Sequence, residues 1–204
     1  GKENYCFQYG IIGETRDGTN CEYFIARTNN IYRKSNHLSW EESASMQLVC
    51  MTAYQMIVKR AKLKCKETIL IYGATSGIGS AAIQIAKNIG ATVIATVGSQ
   101  NKKYHAEKLG ADYIVLHTDN NWEDEIRSLT RERGIQVIFE HIGYDTWTSS
   151  MKLLAKGGRV VTCGSTTGPI VNIDLRHLFM KQQTVLGSTM SDMDVFQLVM
   201  KKIN

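Results

Sequence analysis

No C-x-x-C pair occurs in this 204-residue chain; its five cysteines, Cys6, Cys21, Cys50, Cys65 and Cys163, are odd in number and far apart. That pattern excludes a disulfide framework and reads as reduced thiols, so a cytoplasmic location is expected. No apolar run approaches the roughly 20 residues of a membrane-spanning helix, and no signal-peptide pattern stands at the front, so no membrane partner is expected. The net charge of +5 is not gathered into a patch. Lysine and arginine are spread along the chain, which argues for a solvated surface and against nucleic acid as a partner. There is no internal repeat and no low-complexity segment. No metal-ligand cluster and no Ser-His-Asp order appears, so neither a catalytic residue nor a metal ligand is assigned. The first residue is glycine rather than methionine, and the expectation is a piece of a longer protein.

What is present is ordinary globular material, 43% hydrophobic and 21% charged, enough for one good core and part of a second unit. Residues 1–37 carry little to build on. Asp17-Gly18 is a turn signal, 22–27 a plausible strand and Ile31-Tyr32 another. Ser39 and Glu42 then form a capping box with Leu38 ahead of it. A helix follows through Met46, Leu48, Val49, Met56 and Ile57, with Lys59, Arg60 and Lys62 at the end its dipole favours. From there a rhythm sets in. Apolar β-branched runs stand at 68–72, 92–97, 113–116, 137–140, 159–163 and 184–187. Helical patterns lie between them at 79–89, 101–109, 121–132 and 145–155. A short helix at 174–180 precedes the sixth run. A second capping box, from Ser191 to Asp194, opens a last helix to about residue 202. Continuous apolar strands alternating with helices predict an α/β fold with a parallel sheet covered on both faces. Six such strands predict the doubly wound (Rossmann) sheet in the order 3-2-1-4-5-6.

The stretch 68–80, TILIYGATSGIGS, is a strand, a glycine turn and a helix start. Gly73, Gly77 and Gly79 fall where strand gives way to helix, although the spacing is not the strict G-x-G-x-x-G. Free N–H groups and the positive dipole end of a helix N-terminus favour an anion, and missing side chains let a pyrophosphate approach. Residues 73–79, that is Gly73, Ala74, Thr75, Ser76, Gly77, Ile78 and Gly79, are therefore the candidate dinucleotide cradle. Thr75 and Ser76 add hydroxyls for phosphate.

The pieces G1-K-E-N-Y-C6, D17-G-T-N-C-E-Y23, L38-S-W-E-E-S-A-S45, T52-A-Y54, the 73–79 turn, G110-A-D112, K156-G-G-R-V160 and L186-G-S188 occur together and in order. The chain resembles the medium-chain dehydrogenase/reductase superfamily, the zinc alcohol dehydrogenase and quinone oxidoreductase group. The resemblance implies that residues 1–37 are the remnant of a GroES-like catalytic domain. Residues 38–204 are then the NAD(P)-binding domain with its leading helix. It also implies a homodimer paired through the sixth strand. Cys6 stands at the last of four structural-zinc cysteines of zinc-bearing members. The family's third catalytic zinc ligand falls at Leu48, two places from Cys50, which leaves zinc in the full-length protein uncertain. Tyr104 and Lys108 imitate the catalytic pair of short-chain dehydrogenases, but they follow the glycine turn too soon and are set aside.

Further site residues follow from the edge on which the strands end. His141 and Ile142 follow the fourth strand, Cys163 and Gly164 the fifth, and Ser188 the sixth. All are expected to line the nicotinamide half of the crevice; the resemblance adds Thr52 of the leading helix, which matches a family threonine close to the nicotinamide end. After the second strand, where NAD-selective members carry an acid, the sequence runs GSQNKK from Gly98. Ser99 and Lys102 are the expected contacts of a 2′-phosphate, so NADP(H) is expected over NAD(H). The function expected is the cofactor domain of an NAD(P)H-dependent oxidoreductase. It would move hydride to or from an alcohol, carbonyl, enone or quinone, with a small-molecule substrate held by the full-length protein and no activity in this piece alone. The alternatives are a zinc-free NADPH quinone or enone reductase and a nucleotide-binding module without catalysis.

Overall fold

The fold was analysed in a computed structural model, which describes residues 2–203. Six parallel strands form one sheet: β1 (Thr68–Ile71), β2 (Thr92–Val97), β3 (Tyr113–Leu116), β4 (Ile135–Glu140), β5 (Leu154–Thr162) and β6 (Thr184–Gly187). Their spatial order is β3-β2-β1-β4-β5-β6, as the rhythm of apolar runs predicts. Ile71 lies opposite Ala95 on one side and Phe139 on the other. The order reverses between β1 and β4, so loops leaving these two strands diverge and open a crevice at the carboxyl edge.

Among the described residues there are seven α-helices, α1 (Trp40–Tyr54), α2 (Gly77–Ile89), α3 (Lys103–Lys108), α4 (Trp122–Leu129), α5 (Tyr144–Leu153), α6 (Leu175–Met180) and α7 (Met193–Ile203); α1 precedes the first strand, α7 follows the last, and the other five connect the strands. Alternation along the strands feeds two cores. Ile69, Ile71, Val93, Ala95, Val137 and Phe139 point to the face covered by α1 and α2, where Met56, Ile57, Ala82 and Ile83 meet them. Leu70, Ile94, Val115 and Ile138 point to the other face, against Ile126, Trp147 and Met151. Small residues on α2, Ala81, Ala82 and Ala86, let it lie close on the sheet, and Gly90 ends it at φ 84.

Several boundaries differ from the sequence reading. The leading helix is not α-helical to its end: a π-helix covers Gln55–Arg60, with Ala61 N–H bonding back to Met56 at 2.8 Å. Arg159 of β5 then donates to the Ala61 and Lys62 carbonyls and pairs with Glu67 at 2.6 Å, holding the widened turn. β5 begins at Leu154 rather than 159, because Leu154 pairs with Ile135 across a register shift. The capping residue of α7 is Asp192, whose Oδ1 accepts from Val195 N–H at 2.9 Å, and not Ser191, which is buried.

No strand forms at 22–27 or at Ile31-Tyr32. A strand needs a neighbour for its main-chain groups, and the sheet offers these residues none. Residues 2–39 hold two 3-10 turns, Glu3–Tyr5 and Thr28–Asn30. Their links to the rest include Tyr32 edge-on to Phe196 of α7 and Glu3 accepting from Met193 N–H at 3.3 Å. Among the described residues no helix is long and apolar enough to cross a membrane.

Candidate functional site

Because all six strands run the same way, the segments that follow them emerge on one edge. This brings together the 73–79 turn, Ser99 and Lys102, His141 and Ile142, Cys163 and Gly164, and Ser188. Thr52 comes from α1, beside α2, and its Oγ1 donates to Leu48 O at 2.8 Å, a helix residue bonding its own backbone.

The turn itself is held from β2. Thr96 is fully buried, and its carbonyl and hydroxyl accept from Ala74 N–H at 3.0 Å and Gly73 N–H at 3.4 Å. Gly73 takes φ 59, a conformation that suits glycine. Ser76 caps α2, its Oγ accepting from Gly79 N–H at 3.0 Å. The amides of Thr75, Gly77 and Ile78 have no hydrogen-bond partner among the described residues. They stand at the positive end of a 13-residue helix with Gly77 exposed. Chemically, such a set of main-chain donors suits an anion.

The glycines divide the work differently from the sequence reading. A Cβ on Gly77 would point at Val49 of α1, 3.2 Å from its Cγ1, so this glycine serves the packing of α1 on α2 as well as access to the cradle. A Cβ on Gly79 would lie 2.2 Å from Gly73 O, so Gly79 permits the close turn.

On the far side of the crevice, His141 Nε2 lies 3.1 Å from Tyr72 O. A carbonyl only accepts, so Nε2 carries the proton and is committed to structure. Cys163 is half-buried, and burial, with Glu140 adding to it, pushes its thiol up to about 11. It stays protonated at neutral pH and is a poor nucleophile. Ser188 Oγ is buried and has no hydrogen-bond partner among the described residues. Its N–H donates to Thr162 O at 2.8 Å.

At the other end of the edge, Ser99 Oγ bonds Asn101 Oδ1 within its own turn, while Lys102 is exposed. Two residues along this edge escaped the sequence reading. His117, just past β3, puts its ring 3.4 Å from where a Cβ on Gly98 would be. Burial, and then the charge of Lys102, hold its pKa below the usual value. Glu140 is fully buried at the end of β4, with its carboxylate on the Ile142 N–H at 2.7 Å. A polar residue closing an apolar strand was the available signal for it. Tyr104 and Lys108 meet each other instead, with the ammonium over the ring at 4.5 Å. Among the described residues no group of three or more His, Cys, Asp or Glu could hold a metal ion.

The zinc-binding dehydrogenase family profile matches residues 77–204. The crotonyl-CoA reductase of Streptomyces collinus is 36% identical over 194 residues, covering 86% of this chain and 43% of the relative. The human quinone oxidoreductase is 29% identical over 180 residues, covering 88% and 54%. Among solved structures, an NAD-dependent alcohol dehydrogenase superposes with a TM-score of 0.93 at 37% identity, covering 98% of this chain and 58% of that one. A 2-octenoyl-CoA carboxylase/reductase in complex with NADP and 2-octenoyl-CoA superposes with a TM-score of 0.79 at 32% identity, covering 87% and 44%. The chain thus spans about half the length of the curated relatives it matches.

Proposed function

The chain belongs to the zinc-binding dehydrogenase family, within the medium-chain dehydrogenase/reductase superfamily, and from that premise we propose that it is the cofactor-binding part of an NADP(H)-dependent oxidoreductase. The observation that carries the proposal is the set of three unpartnered amides, Thr75, Gly77 and Ile78, at the capped start of α2 beside the crevice between β1 and β4. That set fits a pyrophosphate. The buried, unpartnered Ser188 Oγ fits the carboxamide end of a dinucleotide lying along the same edge.

When bound, the nicotinamide supplies or accepts the hydride. The protein's residues do the rest. The cradle amides and Ser76 hold the diphosphate. The 141–142 and 163–164 segments wall the nicotinamide half, and the protonated Cys163 thiol adds a dry, weakly polar surface there. Ser99 and Lys102 meet a 2′-phosphate, Ser99 by turning its hydroxyl away from Asn101. The relatives divide on the cofactor, one solved structure being NAD-dependent and another holding NADP. The absence of an acid after β2, with Lys102 free to pair, favours NADP(H).

For the whole protein we propose a hydride acceptor with a carbon–carbon double bond conjugated to a carbonyl. Crotonyl-CoA, 2-octenoyl-CoA and quinones share that chemistry. An alcohol or carbonyl substrate is the second reading, favoured by the likeness to the alcohol dehydrogenase structure. The protein is proposed to be cytoplasmic and homodimeric through β6. The 204-residue chain is expected to bind cofactor without turning substrate over. Calorimetric titration with NADPH and NADH tests the reading: NADPH is expected to bind more tightly. Binding of neither would overturn the cofactor assignment, and equal or tighter NADH would overturn the preference.

A further inference from the structure

Beyond Glu140 the main chain leaves the sheet, yet its next residues are held as firmly as a strand. Ile142 and Gly143 donate their amides to Glu140 Oε1 at 2.7 and 3.2 Å. The His141 carbonyl accepts from Thr166 Oγ1 at 3.0 Å. The Ile142 carbonyl accepts from Thr167 N–H at 2.8 Å and from its Oγ1 at 3.0 Å. Gly143 takes φ 94, and a Cβ there would lie 2.6 Å from Gly168 O.

The carboxylate at the centre of this arrangement is fully buried. Its partners are amides and hydroxyls rather than a lysine or arginine. Thr146 Oγ1 lies 2.9 and 3.0 Å from its two oxygens, and Ser150 Oγ lies 2.9 Å from Oε2. Ser150 also stands 3.0 Å from the Tyr72 hydroxyl. A serine has one proton, and the carboxylate can only accept it, so Tyr72 donates to Ser150 and Ser150 to Glu140. Burial pushes the Tyr72 phenol far up, which keeps that donor protonated. Tyr72 is thereby tied twice to the end of β4, through its hydroxyl and through its carbonyl to His141. Burying a carboxylate is costly unless every lone pair is used, and here two of the bonds come from Ile142 and Gly143, in a stretch that borders the crevice.

We propose that Glu140 is a positioning residue for the nicotinamide half of the dinucleotide, acting through the 141–143 segment. The inference rests on the dinucleotide reading above. What matters is the acceptor and its reach. In Glu140→Gln the amide oxygen still accepts from Ile142 and Gly143, and the Thr146 and Ser150 hydroxyls turn to accept from its NH2. In Glu140→Leu both amides are left without a partner, and the segment is free to move.

The test titrates the 204-residue chain with NADPH and with adenosine 2′,5′-bisphosphate, which has no nicotinamide. Glu140→Leu is expected to weaken NADPH about tenfold or more while leaving the bisphosphate within about twofold. Glu140→Gln is expected to bind both within about twofold of the unaltered chain. If circular dichroism shows that Glu140→Leu does not fold, Thr146→Val decides, with an expected loss of about threefold for NADPH alone. A folded variant that binds NADPH as the unaltered chain does, or that loses both ligands equally, would overturn the inference. If the unaltered chain binds neither ligand, the dinucleotide reading itself falls, a result distinct from both.

Discussion

Gly79 sits so close to Gly73 that a Cβ on it would stand 2.2 Å from the Gly73 carbonyl oxygen and 3.0 Å from Ser76 Oγ. The turn and the first coil of α2 are thus pressed together. The helix can begin where it does because position 79 has no side chain.

Gly79→Ala is therefore expected to destabilise the chain by at least about 2 kcal/mol, since main chain must shift to admit the methyl group. Gly77→Ala, whose Cβ would press on the tip of the Val49 side chain at 3.2 Å, is expected to cost less than about 1.5 kcal/mol. Denaturant melts of the two variants check the order; equal midpoints would refute it.

Cofactor choice is expected to sit in the loop after β2. Lys102→Ala should weaken NADPH about tenfold through loss of one charge-assisted contact and leave NADH unchanged. Gly98→Asp should reverse the preference, with the new carboxylate beside the His117 ring, 3.4 Å from its Cβ, and in the path of a 2′-phosphate. Fluorescence titration with both reduced cofactors reads each effect. An unchanged NADPH-to-NADH ratio in Lys102→Ala would show that the lysine is merely solvated.

Thiol labelling should separate the cysteines. Cys6, Cys21 and Cys65 are exposed, whereas burial raises the thiols of Cys50 and Cys163, the latter to about 11. With iodoacetamide at neutral pH, mass spectrometry should find the exposed three alkylated first. Early modification of Cys163 would contradict its placement behind β5.

His117 predicts a pH dependence. Its folded pKa lies below the ordinary 6.5 because of burial, then Lys102. Below 6.5 the unfolded chain takes the proton first, so stability is complete above that pH and falls as pH drops toward the folded value. In His117→Asn this part of the loss should vanish. Subtracting the two stability–pH curves isolates it, and a flat difference would rule it out.

The sheet ends at β6, whose residues are largely exposed, Val185 to 38%. A bare edge of this kind invites pairing with a second copy. The chain is expected to sediment as a dimer at tens of micromolar and Val185→Lys as a monomer. A monomeric profile for the unaltered chain would refute pairing through β6.

Much of this protein is determined by local pattern. Apolar runs at 92–97 and 113–116, each closed by helix-forming residues and a glycine, mark parallel strands in the sequence, because a sheet covered on both faces buries such runs. The crossover rule then leaves few orders besides the observed one. The glycine turn at 73–79 is likewise written in consecutive residues, although Thr96 of β2 holds it. Only the tertiary structure decided the rest. Glu140 draws its partners from helix α5 and, through Ser150, from Tyr72, 78 residues from Ser150 in sequence, and no local pattern encodes that meeting. His117 faces Gly98 because β2 and β3 are neighbours. Val49 claims the space over Gly77 because α1 crosses α2. Residues 22–27 carry strand-like chemistry yet stay irregular, since a strand exists only with a partner, and its partner is a fact of the fold and not of the segment.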